Sequence, residues 1–542
     1  MTAISFRTQI FKTVLVRQRV GDSAMKHGLV VLLLAIAAGL PSAARSQERP
    51  DAAKLAAVID ARRAAEWAKG GQHPAPVVDD ATFLRRASLD LIGRIPTVAE
   101  TREFLADESP ERRAKLVNRL IDSGGHTRHM ATFWRRAWVP QADTPEFARL
   151  VDDFEAWAAV RIQENKPYDH VVRELLSTSA SSEQRAAVGR NPVTPAAFFA
   201  ANENKPENLA ASATRAFLGV NLDCAQCHDH PFHRWTRDQF WQTAAFFAPP
   251  RKQADGPMVP PQMTIPNTSK TVAAALMDGS PVAWPETLAS DTGRKLLADW
   301  VTEHENPFFA RNAVNRLWAQ MFGNALIEPL DDLSGGADAT GYDADLLRDL
   351  AEAFVASGHD LKYITRALAL TKTYQLSATV PTEIDRDPQL CVRMPIRGLT
   401  GEQLYDSIRT AAGLPPERDD LGRGQSLENR KRFAGQFRID RAVSAERSII
   451  QALSMMNGRF TAELTDPAKN PTLRGAADAP FLDTAGKVEV VFLAVLGRQP
   501  APTESTPLVK FVNDGGTVDD PRLALGELFW VLVNTSEFNT NH

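Results

Sequence analysis

Two cysteines and three histidines crowd into fifteen residues, Asn221-Leu-Asp-Cys-Ala-Gln-Cys-His-Asp-His-Pro-Phe-His-Arg-Trp235. The whole chain of 542 residues has 3 cysteines and 11 histidines, so this clustering stands out. Cys224, Cys227 and His228 spell C-x-x-C-H. At this spacing two thiols join porphyrin vinyl groups and the next imidazole ligates the iron. The leading expectation is therefore an exported haem c protein engaged in electron transfer, as part of an extracytoplasmic oxidoreductase system. The same residue types admit two alternatives. A haem-free enzyme would hold zinc, copper or iron through the thiolates and the imidazoles of His228, His230 and His233. A cell-envelope scaffold or interaction protein would use the C-x-x-C pair as a structural disulfide.

The neighbouring residues sort by what each chemistry would ask of them. His230 is too near His228 in sequence to reach across a porphyrin, so it belongs at the haem edge or on a metal. His233 reads as a surface or hydrogen-bonding residue. A sixth iron ligand would come from His126, His129 or Met130, and an open position would permit ligand chemistry. Asp223 and Asp229 are placed to orient an imidazole. Phe240, Trp241, Phe246 and Phe247 suit either a haem's flat faces or an ordinary core. Asn312, Asn315, Arg311 and Arg316 share one helix and suit substrate recognition or interhelix hydrogen bonds. Cys391, remote from the pair, reads as a small buried hydrophobe. No Ser-His-Asp set, Walker loop or dinucleotide fingerprint occurs, so no enzyme class is assigned.

The elements that must carry these residues are helical. Apolar residues recur at three-to-four spacing from Phe83 to Ile92, and Thr97 caps a helix over Val98–Leu105. Ser109-Pro110 is expected to start a helix through Leu120, with Gly124-Gly125 ending it. Further helices are expected over His129–Trp138, Phe147–Glu164, Tyr168–Leu176, Glu207–Leu218 and Thr236–Phe247. After a proline-rich stretch they resume at Leu296–Val301, Pro307–Met321, Asp343–Ala356, Leu361–Thr371, Gly401–Ala412, Ser444–Leu464, Ala485–Leu496 and Leu523–Asn534. Short strands are expected at Met263–Ile265 and Thr271–Ala274, and residues 414–442 read as an exposed excursion. The fold class is mainly α.

The expected organisation is a signal peptide at 1–46, a helical domain at 47–250 bearing the motif, a linker at 251–290 and a second helical domain at 291–542. The signal reading rests on the apolar run Leu29–Leu40 with small residues after it. That run is too short for an ordinary membrane span, so no span is expected beyond it. A periplasmic or secreted location follows. With 62 basic and 66 acidic residues the net charge is −4. No basic excess exists to neutralise phosphates, which excludes a nucleic-acid partner.

Longer stretches carry a resemblance. They are Phe83-Leu-Arg-Arg-Ala-Ser-Leu-Asp-Leu-Ile-Gly-Arg-Ile-Pro-Thr97, the run from Phe217 to Phe232, Asn306–Trp318, Gly358–Arg366, Thr373–Ser377, Leu496–Arg498 and Asn534–Phe538. In these the chain resembles the planctomycete-type cytochrome-associated family of paired secreted domains of unknown function. The resemblance implies an exported protein with a redox or cytochrome partner in the cell envelope. It supplies no reaction. His233 stands where that family commonly has Asp, and Leu333-Ser-Gly-Gly-Ala-Asp338 departs from its usual segment.

Overall fold

A computed structural model describes residues 50–144, 146–147, 150–178, 194–252, 256–334, 342–378, 390–415, 425–437 and 448–542. The expected signal peptide lies outside the described residues. What is described is mainly α. Helices α1 (Ala52–Gly70), α2 (Asp80–Ile92), α3 (Val98–Ala106), α4 (Arg112–Ile121), α5 (Gly124–Trp138), α6 (Val151–Gln163) and α7 (Tyr168–Ser177) come first. Then follow α8 (Ala197–Ala201), α9 (Pro206–Ala213) and α10 (Arg237–Ala245). Beyond the proline-rich stretch lie α11 (Thr292–Val301), α12 (Phe309–Phe322), α13 (Tyr342–Ala356), α14 (Leu361–Leu370), α15 (Gly401–Ala411) and α16 (Gln425–Gln436). The last are α17 (Ile449–Asn457), α18 (Arg459–Leu464), α19 (Pro471–Asp478), α20 (Thr484–Val495), α21 (Pro502–Asn513), α22 (Pro521–Val533) and the single turn α23 (Ser536–Asn539).

The strands are short and pair in twos: β1 (Arg251–Lys252) with β2 (Met258–Val259), β3 (Gln262–Thr264) with β4 (Thr271–Ala273), and β5 (Arg397–Gly398) with β6 (Thr540–Asn541). Strands β3 and β4 lie where short strands were expected from sequence, and they pair with Met263 opposite Val272. No described helix is long and apolar enough to cross a membrane.

Local chemistry explains most helix ends. Thr97, Thr236 and Thr400 each close a capping box with a Glu or Gln three residues on. Two expected boundaries move. Gly124-Gly125 does not end a helix but begins α5, because the Ser123 side chain accepts the His126 N–H and caps that end. Ser109 instead closes a turn onto the Arg112 N–H, so α4 starts later than expected. Of the helix expected over Ser444–Leu464, residues 444–447 lie outside the described residues and the rest is two helices broken at Gly458, where a Cβ would stand 2.3 Å from the Ser454 carbonyl oxygen. The stretch read as an exposed excursion holds α16, which packs on α15 through Arg430–Asp406 at 2.8 Å and Phe433 against Tyr405.

Two apolar clusters fill the interior. The larger runs from Ala52 to Met394 and centres on Trp134, Trp138, Trp157, Tyr168 and Trp318. The smaller gathers residues from Leu399 to Phe538 together with Leu89 and Ile95. Helix α2 thus sits between them and is buried from Phe83 to Ile92. Its polar residues are consumed there. Asp90 accepts the Tyr374 hydroxyl at 2.7 Å, Arg397 Nη2 at 2.8 Å and Asn541 Nδ2 at 2.8 Å. Arg86 donates to the Leu376 carbonyl, and Arg85 to those of Phe538 and Val495. A buried carboxylate is tolerated because each oxygen is paired.

Candidate functional site

Helix α9 opens into one wide π turn at Thr214–Leu218, which Gly219 ends with φ 60°. A Cβ there would stand 2.8 Å from Asn312 Oδ1, so only glycine fits both the left-handed backbone and the close approach. Asn312 holds this turn from α12. Its Nδ2 donates to the Ala216 carbonyl at 2.8 Å, its Oδ1 accepts Arg316 Nε at 3.1 Å, and Arg316 Nη2 reaches the Arg215 carbonyl at 3.0 Å. Asn315 pins the α12 exit in the same way, accepting the Leu326 and Ile327 N–H groups. These asparagines and Arg316 are buried and spent on the chain itself.

The motif follows in a single 3₁₀ turn, Asp223–Gln226. Leu222 and Ala225 point inward and are fully buried, which turns Cys224 and Cys227 outward as exposed free thiols. The Trp241 indole N–H donates to the Gln226 carbonyl at 3.0 Å and ties the turn to α10. Exposed His228 carries its proton on Nδ1, which donates to the Asp229 carbonyl at 2.7 Å. Its Nε2 has no partner among the described residues. The Asp229 carboxylate accepts the Arg237 N–H at 2.8 Å and so serves the start of α10. Asp223 pairs with Arg215.

The rest of the loop is self-supporting. His230 Nδ1 accepts the N–H groups of Phe232 at 3.2 Å and His233 at 3.1 Å, which places its proton on Nε2. Its pKa is lowered, first by burial and then by the facing His233. His233 donates from Nε2 to Asp332 at 3.1 Å. Trp235 is buried and donates to Ser334 Oγ at 3.0 Å, while Phe232 stands 86% exposed at the tip. Asp332 and Ser334, about a hundred positions away, belong to a segment that sequence reasoning did not connect with the motif. The only hint was its departure from the resembling family at Leu333.

Of the two readings open for the aromatics after the motif, the structure supports the ordinary core. Phe240, Trp241 and Phe246 are core residues, with Phe246 stacked on Trp284. His126 and Met130 are buried near the start of α5, whereas it is Trp138, at the far end of that helix, that touches Phe217 beside the motif. His126 donates to the Leu91 carbonyl at 2.8 Å, and burial pushes its pKa down to about 4. His129 is pushed to about 3 by burial and by His126. Among the described residues no hydrogen bond or ring contact joins these residues to His228. Among the described residues no group of three or more His, Cys, Asp and Glu is placed to hold a metal ion. Cys224, Cys227 and His228 are all exposed, and a haem attached through them would be open to water. Cys391 is buried, as expected of a small hydrophobe.

No curated protein and no solved structure matches the chain. Residues 58–252 match the family described as PSCyt2, protein of unknown function (DUF1549), and residues 293–435 match PSD1, protein of unknown function (DUF1553). The first match holds the thiol turn and the second holds Asp332, so the chain joins two domains of unknown function whose residues meet at one loop.

Proposed function

We propose that the chain is an exported c-type haem protein that passes electrons to a redox partner in the cell envelope. One observation supports this above the others. Two free thiols face solvent three residues apart, and the next imidazole is held by Nδ1 with Nε2 turned free. Haem bound there supplies one-electron chemistry at its iron. The chain does the holding. Leu222 and Ala225 anchor the turn in the core, the Asp229 carbonyl selects the His228 tautomer, and Asn312 braces the approach from below. Water around such a group favours its more charged, oxidised state, so a low reduction potential is expected.

Export in a host that matures c-type cytochromes, followed by acid-acetone extraction, tests the reading. Pigment should stay with the protein, and Cys224→Ser or Cys227→Ser should release it. A colourless exported protein, or pigment unaffected by both substitutions, ends the proposal. The His233–Asp332 hydrogen bond favours a second reading, since carboxylate-oriented imidazoles are common metal ligands. His230 counts against a three-imidazole site, because its Nδ1 is occupied and its Nε2 protonated. Elemental analysis of colourless protein decides: stoichiometric zinc, copper or iron lost on His233→Ala would establish it.

A further inference from the structure

Helix α17 turns its apolar side outward. A helix on a globular surface ordinarily packs such a stripe against the core. In Ile449–Asn457 only Met455 is buried. Ile449, Ile450, Leu453 and Met456, at i, i+1, i+4 and i+7, fall within about 120° of arc on the other side. Ile449 and Ile450 are 79% and 76% exposed, and Leu453 and Met456 are exposed beside them. The end of α17 is held to α22, where the Trp530 indole N–H donates to the Met456 carbonyl at 3.0 Å and the neighbouring Val531 is exposed. Five side chains at roughly 100 Å² apiece make a patch of about 500 Å². That is as large as the biggest apolar patch on a typical monomer, and such patches often mark contact surfaces.

We infer that this face pairs two copies of the chain about a two-fold axis, with Ile450 and Leu453 of each copy against the same face of the other. Two such patches bury about 1,000 Å² in total, the lower limit for a specific interface, so the association is weak and reversible. The residue types suit a second copy. Helix α17 carries no charged side chain, so a two-fold axis brings no like charges together along it, and antiparallel helices oppose their dipoles favourably. A lipid surface would call for Lys or Arg along the polar side of the helix, and α17 has none.

Sedimentation velocity of the whole chain between about 1 and about 100 µM tests this, since a weak interface changes occupancy over that range. A monomer–dimer equilibrium is expected. Leu453→Asp should weaken it at least about tenfold, because each dimer would then bury two unpaired carboxylates. Ile450→Asp should act in the same way. Val58→Ser, 49% exposed on α1, should leave the equilibrium unchanged. A chain that stays monomeric at the highest concentration, a dimer that survives both α17 substitutions, or a loss on Val58→Ser overturns the inference. So does a monomer that floats with phosphatidylcholine–phosphatidylglycerol vesicles, which would assign the face to lipid. The concentration series stands even if a variant fails to fold.

Discussion

The Asp90 node and the Cys224 turn are both dense in polar groups, and they differ in where those groups end. At Asp90 both carboxylate oxygens are consumed by Tyr374, Arg397 and Asn541, all out of reach of water. At Cys224 the backbone is held as firmly, by Leu222, Ala225, Trp241 and Gly219, yet the thiols and the His228 ring face outward. One region spends its chemistry on holding distant segments together. The other keeps its chemistry available and takes its support from outside itself. Two stretches that look equally distinctive in sequence therefore have opposite roles, and burial separates them.

The comparison breaks most readily at Asp90. Asp90→Ala should cost about 3–5 kcal/mol in denaturant unfolding, because the Arg397 charge is left buried and unpaired. A loss below about 1 kcal/mol would mean that the node is not structural. Next in size is a pH effect confined to the buried side. His126 and His129 have folded pKa values of about 4 and about 3, below the ordinary 6.5, because burial disfavours their charged forms. Between those values the unfolded chain binds more protons than the folded one. Stability is therefore complete above pH 6.5 and falls as the pH drops toward 4. His126 alone accounts for roughly 3 kcal/mol across that window. His126→Asn should flatten the slope, whereas His230→Asn at the exposed loop should hardly change it.

Asn312→Ala tests the brace between the two regions. It strips partners from the Ala216 carbonyl and from Arg316, for about 1–3 kcal/mol. It should also lower the yield of covalently attached pigment, a loss that Asp90→Asn, in protein that remains folded, should not show. Smallest of all is the stability change of Cys224→Ser, within about 0.5 kcal/mol because the side chain is exposed. If that substitution destabilised the fold strongly, the thiol would be part of the core and the contrast would fail.

Much of this was legible in the chain. The Phe83–Ile92 helix, the Thr97 cap and the short strands near Met263 and Thr271 are properties of near neighbours, and they reappear as read. Asn312 proved to be the interhelix hydrogen-bonder that its helix position suggested, whereas Asn315 holds the loop at Leu326 and Ile327. Misses came where local signals compete. The helices Pro471–Asp478 and Pro502–Asn513 were not expected, and each carries a proline in its first turn, where the missing N–H costs nothing. Phe240 and Trp241 are aromatic in any setting, and only packing shows that they face the core rather than a cofactor.

Helix periods, caps, charge balance and the order of the thiols and imidazole depend on residues close in sequence, so the amino-acid string by itself determined them. Which way Cys224 points, why Asp90 is buried, and that Asp332 reaches His233 depend on surfaces brought together from far along the chain. Those were decided only by tertiary structure, because burial and pairing are properties of neighbours in space, and packing chooses them.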